Sequence, residues 1–150
     1  MDIKEHTTPE KLEYYSFLWS EVRLVIAAVA LFIGGTPPIL LLVPVASLYS
    51  LIYLGLKLAW IVSGVAAAYL AYRWYEGGQK LFGGKDMKDT VAFLVSVVSG
   101  INLGLVGFLG QNIGMSLVSG QLVFLVTGAV YLAAAGYLYM RWNEHGKKLF

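Results

Sequence analysis

Two long stretches of the chain carry almost no charge, and they restrict its possible folds more than any other feature. From Thr90 to Met140 there is no Asp, Glu, Lys, Arg or His, and from Leu24 to Tyr72 the single charged residue is Lys57. A transmembrane helix needs about 20 apolar residues, so each stretch is long enough for two. The sequence therefore predicts four transmembrane helices.

The composition agrees with this fold class. The 150 residues are 58% hydrophobic and 13% charged, with a mean hydropathy of +0.68. Soluble domains are about half apolar and about a quarter charged. We therefore predict an all-α integral membrane protein that forms a single domain over residues 1–150 in the lipid bilayer. The chain has no cysteine, which excludes disulfides, thiolate metal sites and cysteine nucleophiles.

The first predicted span is preceded by a short N-terminal helix. Thr8 is a predicted N-cap, and Pro9–Trp19 mixes charged and aromatic residues, a pattern typical of a helix at the membrane interface. The span itself is predicted from about Val22 to Leu42. Glu21 and Arg23 lie where it begins, so their charged groups can reach the headgroup layer. We interpret them as an ion pair at the membrane surface.

The sequence Gly34-Gly35-Thr36-Pro37-Pro38 interrupts this span. The two prolines remove backbone donors, and the glycines permit unusual dihedral angles. In one interpretation the helix ends at Gly35 and residues 36–44 form an outer loop. In the other, which is favoured because residues 39–42 are strongly apolar, a kinked or broken helix continues through them.

Lys57 is a charged residue inside the second predicted span, Leu51–Trp74. It lies about 24 Å before Arg73, and the helix break lies at a similar depth when counted from Arg23. An ionisable residue within a membrane is a functional hypothesis by default, although a shallow lysine can also extend to the headgroups. The functional interpretation is a solute-binding site formed by Lys57, Gly34, Gly35, Thr36, Gln121 and Asn102.

The third predicted span, Thr90 to about Gly110, carries a stripe of small residues. Glycines recur at spacings of three and four, which places them on one helix face, and such a face permits close helix packing or oligomerisation. Its partner is either another helix of the chain or a second copy. The stripe consists of Gly100, Gly104, Gly107, Gly110 and Gly114. Gln111 and Asn112 mark the outer turn, and the fourth span runs from about Gly120 to Trp142.

The chain contains an internal repeat. Residues 73–82 match residues 141–150 at seven of ten positions, which indicates two hairpins of the same orientation over about residues 17–82 and 85–150. Parallel repeats of this type occur in some transporters. Arg73, Trp74, Arg141 and Trp142 are predicted membrane-interface anchors. Pairs from Glu76 to Lys80 and from Glu144 to Lys148 are predicted on a further helical turn, and a partner-binding role for the endings is the alternative.

The charge distribution predicts the orientation. Ten of the eleven Lys and Arg residues lie on the side of both termini and of the central link, Tyr75–Asp89. By the positive-inside rule, both termini face the cytoplasm and the protein lies in the cell membrane. Asp86 or Asp89 is predicted to cap the third span.

The sequence does not favour an enzyme. His6 and His145 lie in terminal segments, and the sequence shows no metal-ligand cluster and no phosphate-binding loop. We expect no cofactor, no metal and no nucleic-acid partner. The predicted spans hold no carboxylate, which is unfavourable for a proton-coupled transporter.

Two functions remain. The first is a passive channel, transport protein or binding site for a small polar or anionic solute, which would be a homo-oligomer if it conducts. The second is a non-catalytic scaffold or accessory subunit that oligomerises through the glycine face and binds a membrane or cytosolic partner.

Overall fold

A computed structural model describes residues 3–42, 45–110 and 120–150. These residues form helices and connecting turns without a β-strand, as predicted, and a single isolated β-bridge joins Leu81 and Gly84. The helices are α1 (Ile3–His6), α2 (Pro9–Phe32), α3 (Pro38–Leu42), a 3-10 turn (Ala46–Leu48), α4 (Tyr49–Glu76), α5 (Met87–Leu109) and α6 (Gln121–Glu144). Gln111, Asn112 and Gly114 lie outside the described residues.

Four helices, α2, α4, α5 and α6, are long and apolar enough to cross a membrane. The shortest of them, α5, has 23 residues, or about 35 Å at 1.5 Å per residue, which exceeds a hydrocarbon core of about 30 Å. The prediction of four candidate spans is confirmed.

The long helices pack side by side. α2 contacts α4, α5 and α6, and α4 packs most closely against α5. Glu13 near the start of α2 pairs with Arg73 near the end of α4, and Asp89 near the start of α5 pairs with Arg141 near the end of α6. The starts of α2 and α5 and the ends of α4 and α6 therefore meet at one end of the bundle, here called the terminal end.

The predicted boundary of the first span is wrong. Pro9–Phe32 is one continuous helix, so Pro9–Trp19 is not a separate helix. Phe17 is 2% exposed and Ser20 1%, because they already belong to the packed face of α2. A helix that starts at Pro9 is about 36 Å long by Phe32, and no further residues are needed to cross a bilayer.

The predicted break is present, but its form lies between the two alternatives. α2 ends at Phe32, and Gly34 and Gly35 take φ values of +90° and +87°, a left-handed conformation that glycine adopts without strain. Pro38–Leu42 then forms a separate five-residue helix without a buried residue. It does not extend α2 as a broken span.

The other three long helices begin and end within about three residues of their predicted limits. Asp86 caps α5, since its carboxylate accepts hydrogen bonds from the backbone N–H groups of Lys88 at 2.8 Å and Asp89 at 3.3 Å. The predicted Asp86 cap is confirmed.

The glycine stripe packs against α4 of the same chain. A Cβ atom built on Gly104 would lie 2.6 Å from the Cα of Gly64, and one on Gly107 would lie 2.9 Å from the carbonyl oxygen of Lys57. A Cβ atom on Gly100 would likewise lie 2.6 Å from the Cβ of Ala67. Gly110 serves another purpose, because it ends α5 with a φ of +73°. The absent side chains therefore let α4 and α5 approach at backbone distance.

The two repeated endings take the same backbone path. Gly78 and Gly146 have φ values of +75° and +67°, and the residues that follow them, Gln79 and Lys147, have +61° and +62°. The N–H of Gln79 donates to the carbonyl of Trp74 at 2.9 Å, and Lys147 donates to Trp142 at 2.8 Å. Each helix thus ends with a six-residue backbone ring.

Both endings then fold back onto the bundle. Leu81 is 1% exposed and Leu149 is fully buried, and the N–H of Phe82 donates to the carbonyl of Leu149 at 2.7 Å. The predicted pairs from Glu76 to Lys80 and from Glu144 to Lys148 are wrong, because α4 and α6 end at the two glutamates. Glu76 instead accepts a hydrogen bond from Tyr72 at 2.6 Å, and Glu144 pairs with Arg141 at 3.3 Å.

Candidate functional site

A group of polar side chains lies inside the bundle. Each member is 8% exposed or less, which is unusual for serine and rarer for charged residues unless they are paired. The group, here called the interior polar cluster, consists of Ser20, Glu21 and Arg23 of α2 and Ser96 and Ser99 of α5.

The cluster lies near the middle of the bundle rather than at its surface. Ser96 and Ser99 are close to the midpoint of α5, and Arg23 is about 21 Å along α2 from Pro9. The prediction that Glu21 and Arg23 lie at the start of the helix with their charged groups exposed is wrong, because both are buried in the interior of α2. It followed from placing the start of the first span near Val22 instead of at Pro9.

Arg23 joins α2 to α5. Its Nη1 donates to the Ser99 Oγ at 3.0 Å, and its Nη2 donates to the Ser96 carbonyl at 2.8 Å and to the Ser96 Oγ at 3.4 Å. Gly100 makes room for the guanidinium, since a Cβ atom there would lie 3.3 Å from Nη2. One glycine of the stripe therefore serves the cluster as well as the helix contact.

Within the part of the chain that the structure describes, three polar atoms of the cluster have no hydrogen-bond partner. They are the Arg23 Nε, the Ser20 Oγ and the Glu21 Oε1. Among the described residues, Glu21 and Arg23 do not form an ion pair within 4.0 Å, so the predicted surface pair is wrong in geometry as well as in place. Buried polar groups are satisfied in the great majority of cases, and the exceptions here all lie within residues 20–23.

Apolar side chains close the cluster from both ends of the bundle. Toward the opposite end, Leu24 and Ala28 are fully buried and Leu31 is 9% exposed. Toward the terminal end, Phe17 packs against Trp142 with their ring centroids 5.0 Å apart. In this conformation the cluster is occluded.

A groove opens at the opposite end of the bundle. Its volume is about 520 Å³, and it lies between the end of α2 and the start of α6. It is lined by Leu31, Phe32, Ile33, Gly34, Gly120, Gln121, Phe124 and Leu125. The structure thus brings Gly34 and Gln121 of the predicted solute site together, and Gly35 lies beside Phe124.

The remaining residues of the predicted solute site do not line this groove. The Lys57 Nζ lies 5.2 Å from the centroid of the Tyr53 ring on its own helix, a cation–π contact. Thr36 and Asn102 are half-buried elsewhere on α2–α3 and α5. Lys57 therefore does not share this groove with Gly34 and Gln121, and the solute-binding role of these residues stays a prediction.

The predicted interface anchors contact other helices at the terminal end, although the Arg73 and Arg141 side chains remain about a third exposed. Arg141 binds Asp89 through two hydrogen bonds of 3.0 Å, and Arg73 lies 3.6 Å from Glu13. Trp142 is 3% exposed. Trp74 packs against Phe93 with their ring centroids 5.7 Å apart.

Comparison with protein-family models, with curated proteins and with solved structures finds no match to this chain. Within residues 3–42, 45–110 and 120–150, no group of three or more His, Asp or Glu side chains could hold a metal ion. The candidate site is therefore defined by its own geometry, with the guanidinium of Arg23 at its centre.

Sequence reasoning missed this site although one signal was present. Thr8 and Pro9 predict a helix start, and counting about 20 residues from it places Glu21 and Arg23 inside the span. The same count also places a carboxylate, Glu21, within the bundle. The expectation that the long apolar helices hold no buried carboxylate is wrong, because Glu21 is buried within α2.

Proposed function

We propose that this chain is a non-catalytic multi-pass protein of the cell membrane that binds and transports a small anionic or polar solute at Arg23. One observation supports this above all others. Arg23 is a cation in the middle of the bundle, it has no counter-ion within 4.0 Å among the described residues, and its Nε has no acceptor. Intramembrane charges are rare and mark solute pathways.

An anion has the chemistry that the cluster lacks. Removing a charge from water costs several kcal/mol in a protein interior unless an opposite charge compensates it. A bound anion supplies that charge and accepts from the Arg23 Nε, while the Ser20 hydroxyl provides a second donor. Arginine is well suited to this role because its planar fork can hold α5 and still bind a ligand.

The closed conformation favours transport over an open channel. Leu24 and Ala28 lie between the cluster and the groove at the opposite end of the bundle. Phe17 and Trp142 lie between the cluster and the terminal end. A solute therefore reaches Arg23 only when helices move apart on one side. In many transporters the binding site lies near the middle of the bilayer, and access alternates between the two sides.

The internal repeat is part of the proposal. The first long helix of each half, α2 or α5, carries an acid that pairs with the arginine at the end of the second helix, as in Glu13 with Arg73 and Asp89 with Arg141. α2 and α5 also contact each other, as two helices beside a pseudo-twofold axis would. The positive charge near the terminal end favours a cytoplasmic location for it.

The scaffold function receives less support. Its proposed interface was the glycine stripe, and Gly100, Gly104 and Gly107 are in contact with α4 of the same chain. A homo-oligomer would need a different surface, and partner binding through the repeated endings stays a prediction.

Uptake into proteoliposomes tests the proposal. Radiolabelled chloride and radiolabelled phosphate are the probes, and protein-free liposomes give the background. We expect uptake of at least one anion above background, unchanged in Lys57→Gln because Lys57 contacts Tyr53 and not the cluster. Loss of uptake in Lys57→Gln would indicate that the solute binds at Lys57 rather than at Arg23. Absence of both uptake and binding in well-folded wild type would contradict the proposal for these anions.

A further inference from the structure

We infer that Glu21 is a proton-binding site inside the bundle and that one proton binds there when an anion binds Arg23. The proton site itself stands on the structure alone, whereas the coupling rests on the proposed function. The consequence is that solute and proton move together.

Burial provides the first reason. Glu21 is 8% exposed, and its Oε1 has no hydrogen-bond partner. An ionised carboxylate is strongly disfavoured in such surroundings, and binding a proton removes its charge. Protonation therefore stabilises the buried Glu21 side chain.

Among the described residues, Arg23 is the charged side chain that acts on Glu21. It does so along α2, and Tyr131 of α6 acts in turn on Arg23. At this level α4 and α5 contribute the hydroxyls of Ser63, Ser96 and Ser99, which do not titrate. The other two buried acids in the described part of the chain, Glu13 and Asp89, are paired at the terminal end.

The coupling follows from charge balance. At a pH where Glu21 is ionised in the empty site, the positive charge of Arg23 offsets its negative charge, although the two do not form an ion pair within 4.0 Å. An anion that binds Arg23 removes this compensation, so the Glu21 carboxylate takes a proton from water on the side that is open. The occupied site then carries Arg23⁺, the anion and neutral Glu21, and its net charge equals that of the empty site.

This arrangement predicts a definite pH dependence. While Glu21 is ionised in the empty protein, each bound anion takes up one proton, so anion affinity falls about tenfold for every unit that the pH rises. Below the pH at which Glu21 is already protonated, the affinity no longer changes. In Glu21→Gln the slope disappears because no proton can be gained.

Infrared difference spectroscopy on the protein in lipid vesicles tests the proton site without any transported solute. On acidification we expect a protonated-carboxyl band that Glu21→Gln removes and Glu21→Asp shifts. Glu76→Gln is the matched control, since Glu76 is an exposed acid at the terminal end, and it should leave the band unchanged. No band assignable to Glu21 at any pH would overturn the proton site.

Adding chloride or phosphate in the same measurement tests the coupling. We expect the Glu21 band to grow when the anion binds and the pH of a weakly buffered suspension to rise. Anion binding that depends on Arg23 but leaves the Glu21 band unchanged would overturn the coupling and leave the proposed function intact. If neither anion binds, the proposed function and the coupling both fail, and the proton site is judged by the acid titration alone.

Discussion

Arg23→Gln is expected to lower anion affinity at least about thirtyfold while the four long helices remain folded. Losing one partner of a buried charge interaction costs about 2–5 kcal/mol of binding free energy, and about 1.4 kcal/mol corresponds to a factor of ten. Glutamine retains an amide that can donate to the Ser96 carbonyl, the acceptor of the Arg23 Nη2 at 2.8 Å. Equilibrium binding of radiolabelled chloride and phosphate, with circular dichroism as the folding check, measures this effect.

Two further variants test whether the loss of anion affinity is specific to the Arg23 guanidinium. Arg23→Lys keeps the charge but not the planar fork, so we expect an affinity between those of wild type and Arg23→Gln. Lys57→Gln removes the other intramembrane cation and should bind as wild type does. An Arg23→Gln protein that binds both anions with wild-type affinity would remove Arg23 from the site.

Gly104→Leu is expected to destabilise the protein by about 3 kcal/mol. Its Cβ alone would lie 2.6 Å from the Cα of Gly64, so α4 and α5 must separate along their closest contact, and overpacking of this kind costs about 1–3 kcal/mol or more. Unfolding in a denaturing detergent titration measures the change.

The control for this variant is Gly136→Leu. A Cβ atom on Gly136 meets nothing within 4 Å, so a change below about 0.5 kcal/mol is expected. Because the Gly64–Gly104 contact lies within one chain, the loss in Gly104→Leu should not depend on protein concentration. A loss that vanishes on dilution would indicate that the stripe packs against a second copy instead.

Much of the fold could be predicted from the sequence because the bilayer imposes simple requirements. The charge-free run from Thr90 to Met140 must hold two helices of about 20 residues, and α5 and α6 are found there. The Asp86 cap follows from the local chemistry of a helix start. These features depend on residues that are close together in the chain.

The error in the first span arose from hydropathy. The charged residues between Pro9 and Arg23 lower the local average, so the window of highest hydropathy begins after them. In the structure Glu13 is satisfied by distant parts of the chain, since it accepts from the Leu149 N–H at 3.3 Å and lies 3.6 Å from Arg73. Such distant partners cannot be identified from a single sequence.

The prediction located the candidate site at Lys57 instead of Arg23 for the same reason. Lys57 stands out in an apolar run, whereas Arg23 follows a charged segment and resembles an interfacial residue. The hydrogen bonds that hold Arg23 reach residues 73 and 76 positions away, and their spacing in the sequence carries no signal of contact. The sequence did predict that Gly34 and Gln121 lie close together, and both line the groove at the opposite end of the bundle.

Accessibility of the interior polar cluster tests the central claim most directly. The chain has no cysteine, so Ser99→Cys places a single thiol at the Arg23 contact, and Val98→Cys places one on the exposed face of the same helix turn, where the side chain is 62% exposed. We expect an anionic methanethiosulfonate reagent to modify Ser99→Cys in vesicles, more slowly with chloride or phosphate present, and to spare Val98→Cys in the lipid. Equal resistance of both thiols in folded, membrane-inserted protein would show that solutes do not reach Arg23 and would contradict the proposed function.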